Sequence, residues 1–241
     1  MRLSIIIPAF NEEQLIEQCV QSVFNSLAAN KDPDLTSEII VVDNNSTDRS
    51  ADLARKAGAK VVFEPINQIG RARNAGAAAA TGDWLLFVDA DSQLNTGMVA
   101  DILQMIKEGR NVGCGSIMRM PGAPRWGNAI LHTWTGVSLL FRWASGALVV
   151  CRADAFRDVG GFSQKLYVAD EIKLSQLLKK WGKKRGLKFS ILTKHPLQTS
   201  SRKLQLYSRR EIIGQFFQLL LNPSQAWHDK KKLPMWYDGR R

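Results

Sequence analysis

Residues 83–92 read "DWLLFVDADS", and how this stretch is read decides the fold. Residues 84–88 are apolar without a break, the pattern of a strand buried on both faces rather than one half in water. The run stops at Asp89 and Asp91, with only Ala90 between them. A core strand that delivers two carboxylates to its carboxyl end invites a chemical reason, and the flanking segments supply the setting.

Working outward, residues 3–7, apolar but for Ser4, are closed by Pro8; residues 38–42, apolar from Ile39, read as a second strand that stops at Asp43, and residues 60–63 as a third. Helical spacing separates them. Leu15, Ile16, Cys19, Val20, Val23, Phe24 and Leu27 share one face, with Asn11 placed to cap and Gln14 at the capping-box position. Residues 48–57 predict a short helix ended by Gly58, and residues 69–80 a small-residue helix ended by Gly82. This alternation predicts an α/β domain: a Rossmann-like, mostly parallel sheet with helices on both faces and right-handed crossovers. Ligands bind such sheets outside the carboxyl ends of the strands. Here those ends are Pro8-Ala9-Phe10-Asn11-Glu12, Asp43-Asn44-Asn45 and Asp89-Ala90-Asp91, all polar and acidic, and they are expected along one edge.

The second half is less regular. Thr96 is placed to cap a helix reaching about Glu108. Residues 112–120, 147–151 and 187–192 predict strands, residues 168–181 a helix, and residues 207–221 an amphipathic helix. Residues 121–142 are a mixed segment. The 241 residues, 45% of them apolar, suit one large domain with or without an appendage. No run approaches the ~20 apolar residues of a membrane span, and the N-terminus shows no signal-peptide pattern. Three scattered cysteines, Cys19, Cys114 and Cys151, suit a reducing compartment. The expected location is therefore cytoplasmic. The net charge of +11 is uneven: from Lys179 onward there are 16 Lys/Arg against 3 Asp/Glu. That is either a solvated face or a surface for an anionic partner, such as a membrane or a phosphorylated substrate. No recognition motif points to nucleic acid.

If the chain stays extended past Val88, Asp89 and Asp91 point the same way. They would repel unless a cation lay between them, and oxygen-only ligands suit Mg²⁺ or Mn²⁺. The plainer reading is a surface turn after a strand. No G-x-x-x-x-G-K-[ST] is present, and no G-x-G-x-x-G follows a strand. "DNNSTD", residues 43–48, lacks the glycine and the distal glutamate of a calcium loop.

The order and spacing of "IIIPAFNEE", "IIVVDNNSTDRS", "GRARNAGAAAATGDWLLFVDAD" and "SGALVVCRADAFRDVGGF" followed by "ADEIKLSQLLKKWG" resemble the family 2 glycosyltransferases of the GT-A fold, over roughly residues 1–180. The resemblance implies transfer of a sugar from a nucleotide diphosphate donor to an acceptor, usually with inversion. It implies that Pro8, Ala9, Phe10 and Glu12 line the nucleotide pocket, and that Asp43, with Asn45 in the same loop, holds base or ribose. Arg73 and Asn74 would lie near the nucleotide. Asp89 would face the ribose and metal, with Ala90 beside it, and Asp91 would ligate Mn²⁺ or Mg²⁺ on the diphosphate. Ser145, Gly146 and Ala147 would border the sugar and acceptor. His195 would complete the metal shell, unless it is structural. The general base would fall on Asp170-Glu171, where the family's usual order of the acidic pair is reversed; either residue qualifies.

On this reading residues 1–195 are the catalytic domain, with a nucleotide half to about residue 95, and residues 196–241 a basic extension. The extension's helix, with Ile212, Ile213, Phe216, Phe217, Leu219, Leu220 and Leu221, would lie on an anionic membrane, pack on the domain, or meet a second subunit. The basic end favours an anionic or lipid-linked acceptor, and Arg202 and Lys203 are candidate phosphate contacts. Two other functions stay open: nucleotidyl transfer, although "PAFNEE" lacks a glycine-rich phosphate loop, and non-catalytic nucleotide-sugar binding.

Overall fold

The computed structural model describes residues 1–221 and 227–237. Its strands are β1 (Arg2–Ala9), β2 (Thr36–Asp43), β3 (Lys60–Phe63), β4 (Trp84–Val88), β5 (Ser92–Gln93), β6 (Asn111–Arg119), β7 (Leu148–Arg152) and β8 (Lys188–Thr199). They form one sheet in the order β3-β2-β1-β4-β7-β6-β8-β5. β1 pairs in parallel with both β2 and β4, so the strand order reverses at β1. That reversal opens a crevice at the carboxyl end of the sheet. Register levels the ends: Ala9 lies opposite Asp43, and Asp43 opposite Phe63. Beyond β4 the sheet turns mixed, with β7 antiparallel to both β4 and β6 and β8 parallel to β6.

The helices are α1 (Ile16–Asn30), α2 (Ser50–Lys56), α3 (Ile69–Ala79), α4 (Thr96–Lys107), α5 (Arg125–Phe141), α6 (Ala153–Asp158), α7 (Asp170–Lys183), α8 (Arg202–Leu206), α9 (Arg209–Leu221) and α10 (Pro234–Tyr237). Strand alternation divides the core in two. Ile5, Ile7, Leu86 and Val88 join α1 and α4 on one face. Ile6, Leu85 and Phe87 join Ala72 of α3, Phe156 of α6, and Leu174 and Leu178 of α7 on the other.

Several local expectations change. Asn11 does not cap α1: it adopts φ 53°, its Oδ1 accepts from Thr47 N–H at 2.8 Å, and no side chain caps the helix, which begins at Ile16. The cap of α4 is Asn95, whose side chain accepts from Met98 N–H, rather than Thr96. The mixed segment is largely α5, 17 residues long. It hides in the sequence because Pro124 precedes it without a capping side chain and Gly127 and Gly136 interrupt its pattern. β8 runs to Thr199, so it carries past residue 195 and includes His195. Tyr207, Ile212 and Met235 pack with Trp126 and Ile130 of α5, which sets the C-terminal helices against the domain. The side chains of Phe216, Phe217, Leu219, Leu220 and Leu221 lie outside the described ones. Among the described residues no helix is long and apolar enough to cross a membrane.

α3 lies close on the sheet because its residues are small. A Cβ at Gly76 would collide with Ile6 Cγ2 and sit 2.9 Å from Val42 Cγ2. Gly76→Val should cost about 1–3 kcal/mol through overpacking, read as a thermal midpoint lower by several degrees.

Candidate active site

β4 does not continue as an extended strand past Val88. Ser92 N–H donates to Asp89 O at 3.0 Å, so Asp89 to Ser92 form a turn. Asp89 N–H donates to Ala147 O at 3.2 Å, and Asp91 O accepts from Ser200 N–H at 3.0 Å. The turn is thus held between the start of β7 and the end of β8. The Asp91 carboxylate oxygen Oδ1 lies 3.4 Å from the hydroxyls of Ser92 and Thr199.

Behind the turn lies Arg73, 2% exposed. Its Nη2 donates to Asp89 Oδ1 at 2.9 Å and to Gly146 O at 2.7 Å, and its Nη1 faces the Asp170 carboxylate at 3.3 Å. The Phe162 ring covers it, with its centroid 5.1 Å from the guanidinium. Burial alone would push the Arg73 pKa down; Asp170, Asp89 and Glu171 together reverse this and hold the charge. Burial pushes the Asp89 carboxyl up, Arg73 pulls it back, and Asp91 pushes it up again.

Asp170 and Glu171 open α7, which Ala169 enters at φ 60°, a left-handed conformation that costs a non-glycine residue energy. The two carboxyls have different surroundings. Asp170 is 1% exposed and committed to Arg73. Glu171 is half-buried and lies against Gly146, where an added Cβ would come within 3.3 Å of Oε1. Burial, then the charge of Asp170 and a hydrogen bond with it, raise the Glu171 pKa well above its ordinary value.

The cleft at the sheet edge is lined by Pro8, Ala9, Phe10, Glu12, Asp89, Ala90 and Asp91. Four other expected residues do not line it. Asp43 Oδ1 accepts from Ser46 N–H at 2.9 Å, and Asn45 is exposed at φ 67°. Arg73 is a buried strut. Asn74 spends its amide on the backbone of Phe162, donating to O and accepting from N–H, both at 2.9 Å. His195 is not brought to the aspartates either: its Nδ1 lies 2.9 Å from Asp101 Oδ2 and its ring covers Gly97. Ser145 is buried, with its Oγ on Ser116 O, while Gly146 and Ala147 lend their carbonyls to Arg73 and Asp89.

The remaining walls come from far along the chain: Asn67, Ile69, Lys203, Trp236 and Tyr237. Arg202 Nη2 pairs with Glu12 at 2.6 Å, while its buried Nε and Nη1 find no acceptor among the described residues. Lys230 Nζ donates to Asn67 Oδ1 at 3.0 Å, and Tyr237 hydroxyl donates to Tyr167 O at 2.9 Å, which straps α10 over the mouth. The enclosed space is about 80 Å³, below the roughly 300–1,000 Å³ of typical ligand pockets.

Residues 4–156 match the family described as glycosyl transferase family 2. The chain belongs to this family. The dolichol-phosphate mannosyltransferase of Pyrococcus furiosus is 30% identical over 124 residues, 48% of this chain and 33% of that protein. The chain spans about a third of the length of the first curated relatives it matches. Among solved structures, the Pyrobaculum calidifontis mannosyltransferase PcManGT, in complex with GDP-Man and Mn²⁺, superposes with a TM-score of 0.67 at 17% identity, covering 97% of this chain and 67% of that one. Staphylococcus aureus TarS 1-349 in complex with UDP-GlcNAc gives 0.64 at 19% identity, covering 98% and 78%. These likenesses show the GT-A fold.

The family resemblance directs attention to the cleft but does not show that Arg73 is its keystone. Arg73→Ala leaves Asp89 and Asp170 buried without their counter-charge. It should cost about 3–5 kcal/mol, measured by denaturant unfolding, and Arg73→Lys, which lacks the planar fork, should recover only part of that.

Proposed function

We propose that the chain is an inverting glycosyltransferase that uses a nucleoside diphosphate sugar and activates the acceptor hydroxyl with Glu171. One observation carries this reading: a single buried guanidinium ties the Asp89–Asp91 turn to the start of α7, so the donor cleft and the candidate base share one rigid frame. Glu171 is the better base because Asp170 is occupied by Arg73. A carboxyl with a raised pKa is also a stronger proton acceptor once ionised.

The donor set of the cleft fits a hard divalent cation. It offers the carboxylates of Asp91 and Asp89 and no thiolate or imidazole. Mg²⁺-type sites take one or two carboxylates and are completed by water and substrate phosphate. Asp91 would hold the cation, with Asp89 beside it. When bound, the cation neutralises charge on the departing diphosphate. Mn²⁺ accompanies GDP-Man in the PcManGT complex, in keeping with this choice. Lys203 faces the cleft and adds a second positive charge for the diphosphate.

The acceptor hydroxyl would approach from the Gly146 side. Glu171 takes its proton as the new oxygen–carbon bond forms and the sugar–phosphate bond breaks, and the nucleoside diphosphate leaves. Asp170 positions Arg73 and sustains the raised pKa of its neighbour. The Pyrococcus furiosus relative is named for dolichol phosphate, a phosphorylated lipid, and the basic C-terminal quarter of this chain is compatible with an anionic acceptor.

Two measurements test the reading. With Mn²⁺ or Mg²⁺, a donor sugar nucleotide drawn from UDP-, GDP- and dTDP-sugars should raise the thermal midpoint, and Asp91→Ala should abolish the rise. No shift with any donor would sink the proposal. Glu171→Gln should cut transfer by about 10²–10⁴-fold while leaving that shift in place.

The pH profile separates the two acids. Activity should rise with pH as Glu171 ionises, along a limb displaced above the ordinary glutamate range. Asp170→Asn removes the charge that raises this pKa, so the limb should move to lower pH; an unmoved limb would exclude Glu171 as the titrating base.

A further inference from the structure

The charge and apolar surface outside the cleft are distributed in a way the transfer reaction does not explain. Residues 109–153 contain no Asp or Glu but five Arg, and residues 172–210 contain no Asp or Glu but twelve Lys/Arg. These two stretches meet in space. Ala144 N–H, just beyond α5, donates to Ser175 Oγ of α7 at 3.0 Å, and Lys179 Nζ donates to Phe141 O at 2.6 Å.

At this junction α5 ends in Leu139, Leu140 and Phe141, exposed by 44%, 76% and 46%. Among the described residues it is the only run of three consecutive exposed large apolar side chains. The Phe141 ring stacks on Trp143 at 4.8 Å, which stiffens the tip. Arg142 follows in a left-handed cap at φ 50° and is exposed. On α7, Lys180 and Lys183 are exposed next to Lys179.

We propose that this tip is a docking surface for an anionic lipid bilayer: Leu139, Leu140 and Phe141 enter the headgroup–acyl boundary while Arg142, Lys179, Lys180 and Lys183 meet lipid phosphates. Apolar side chains rimmed by lysine and arginine with no acidic neighbour on either contributing stretch fit such a surface. Asp158 of α6, which touches the same helix, is taken up by Trp181 Nε1 at 2.8 Å and by Arg185 at 3.8 Å, so a soluble protein partner of ordinary mixed charge would face a predominantly positive rim with few complementary pairs. The assignment differs from the C-terminal membrane contact suggested by composition: of the C-terminal segment, Trp227 O accepts from Tyr167 N–H, and Tyr207, Ile212 and Met235 pack inward.

The docking surface does not depend on the transfer reaction, but it bears on it. Lys179 lies two turns along α7 from Glu171, about 12 Å of helix axis. A bilayer at the tip would therefore lie beside the acceptor side of the cleft.

Co-sedimentation of the full chain with vesicles tests this without donor or metal. Binding is expected to phosphatidylcholine vesicles containing phosphatidylglycerol, to weaken in high salt, and to be much weaker on phosphatidylcholine alone. Leu140→Ser should lower the bound fraction about tenfold, with an unchanged thermal midpoint because the side chain is mostly in solvent. Lys180→Glu with Lys183→Glu should lower binding to the anionic vesicles only. Phe63→Ser, at an exposed apolar residue on β3 (60%), should change nothing. No sedimentation with anionic vesicles, or equal loss in the Phe63 variant, would overturn the proposal. So would a dimer in solution that Leu140→Ser dissolves without affecting lipid binding, since the tip would then be a face between copies of the chain.

Discussion

The buried guanidinium of Arg73 is the constraint on which the rest of the site depends. Removing such an ion from water costs several kcal/mol, and the cost is tolerable only because two carboxylates and a backbone carbonyl surround it. Those partners come from the end of β4, the start of α7 and the loop before β7. Satisfying one charge therefore sets the relative positions of three segments that lie far apart in sequence. Phe162, held by Asn74 through a pair of backbone hydrogen bonds, closes the remaining side.

The same arrangement separates two adjacent acids into two roles. Asp170 is consumed by Arg73, whereas Glu171 is turned toward Gly146, part-open and burdened by its neighbour's charge. Reversal of the usual acidic order thus has a structural meaning here: the first acid of α7 is the buried strut and the second the accessible carboxyl. Across the cleft, Glu12 pairs with Arg202, and Lys203 offsets Asp89. An edge that is acidic in the first half of the chain is balanced by cations from the last quarter.

Much of the architecture was legible beforehand. The apolar runs Ile5–Ile7 of β1, Ile39–Val42 of β2 and Trp84–Val88 of β4 announce a sheet buried on both faces, and parallel register brings their ends level, as the alternation with helices requires. The aspartate pair stands out because it follows such a run. Helix α5 is hidden in the sequence because glycines and tryptophans blur its period and no side chain caps it. The sequence places His195 after a strand, but β8 continues through it and turns its ring to Asp101 on α4. Arg73 read as a nucleotide contact, because nothing local distinguishes a helix arginine that faces solvent from one that faces two distant acids.

By itself the sequence determined what depends on local chemistry and period: the α/β class, the strands that end in acids, and a family membership carried by motifs in fixed order. Only the tertiary structure decided which of those polar residues meet. It set Asn74 against Phe162 and His195 against Asp101, buried Arg73, gave Asp170 and Glu171 different surroundings, and brought Lys203, Trp236 and Tyr237 to the mouth. The physical reason is that burial and charge pairing are properties of distance in space. Residues 16 and 97 positions from Arg73 decide its state, and no window along the chain contains both.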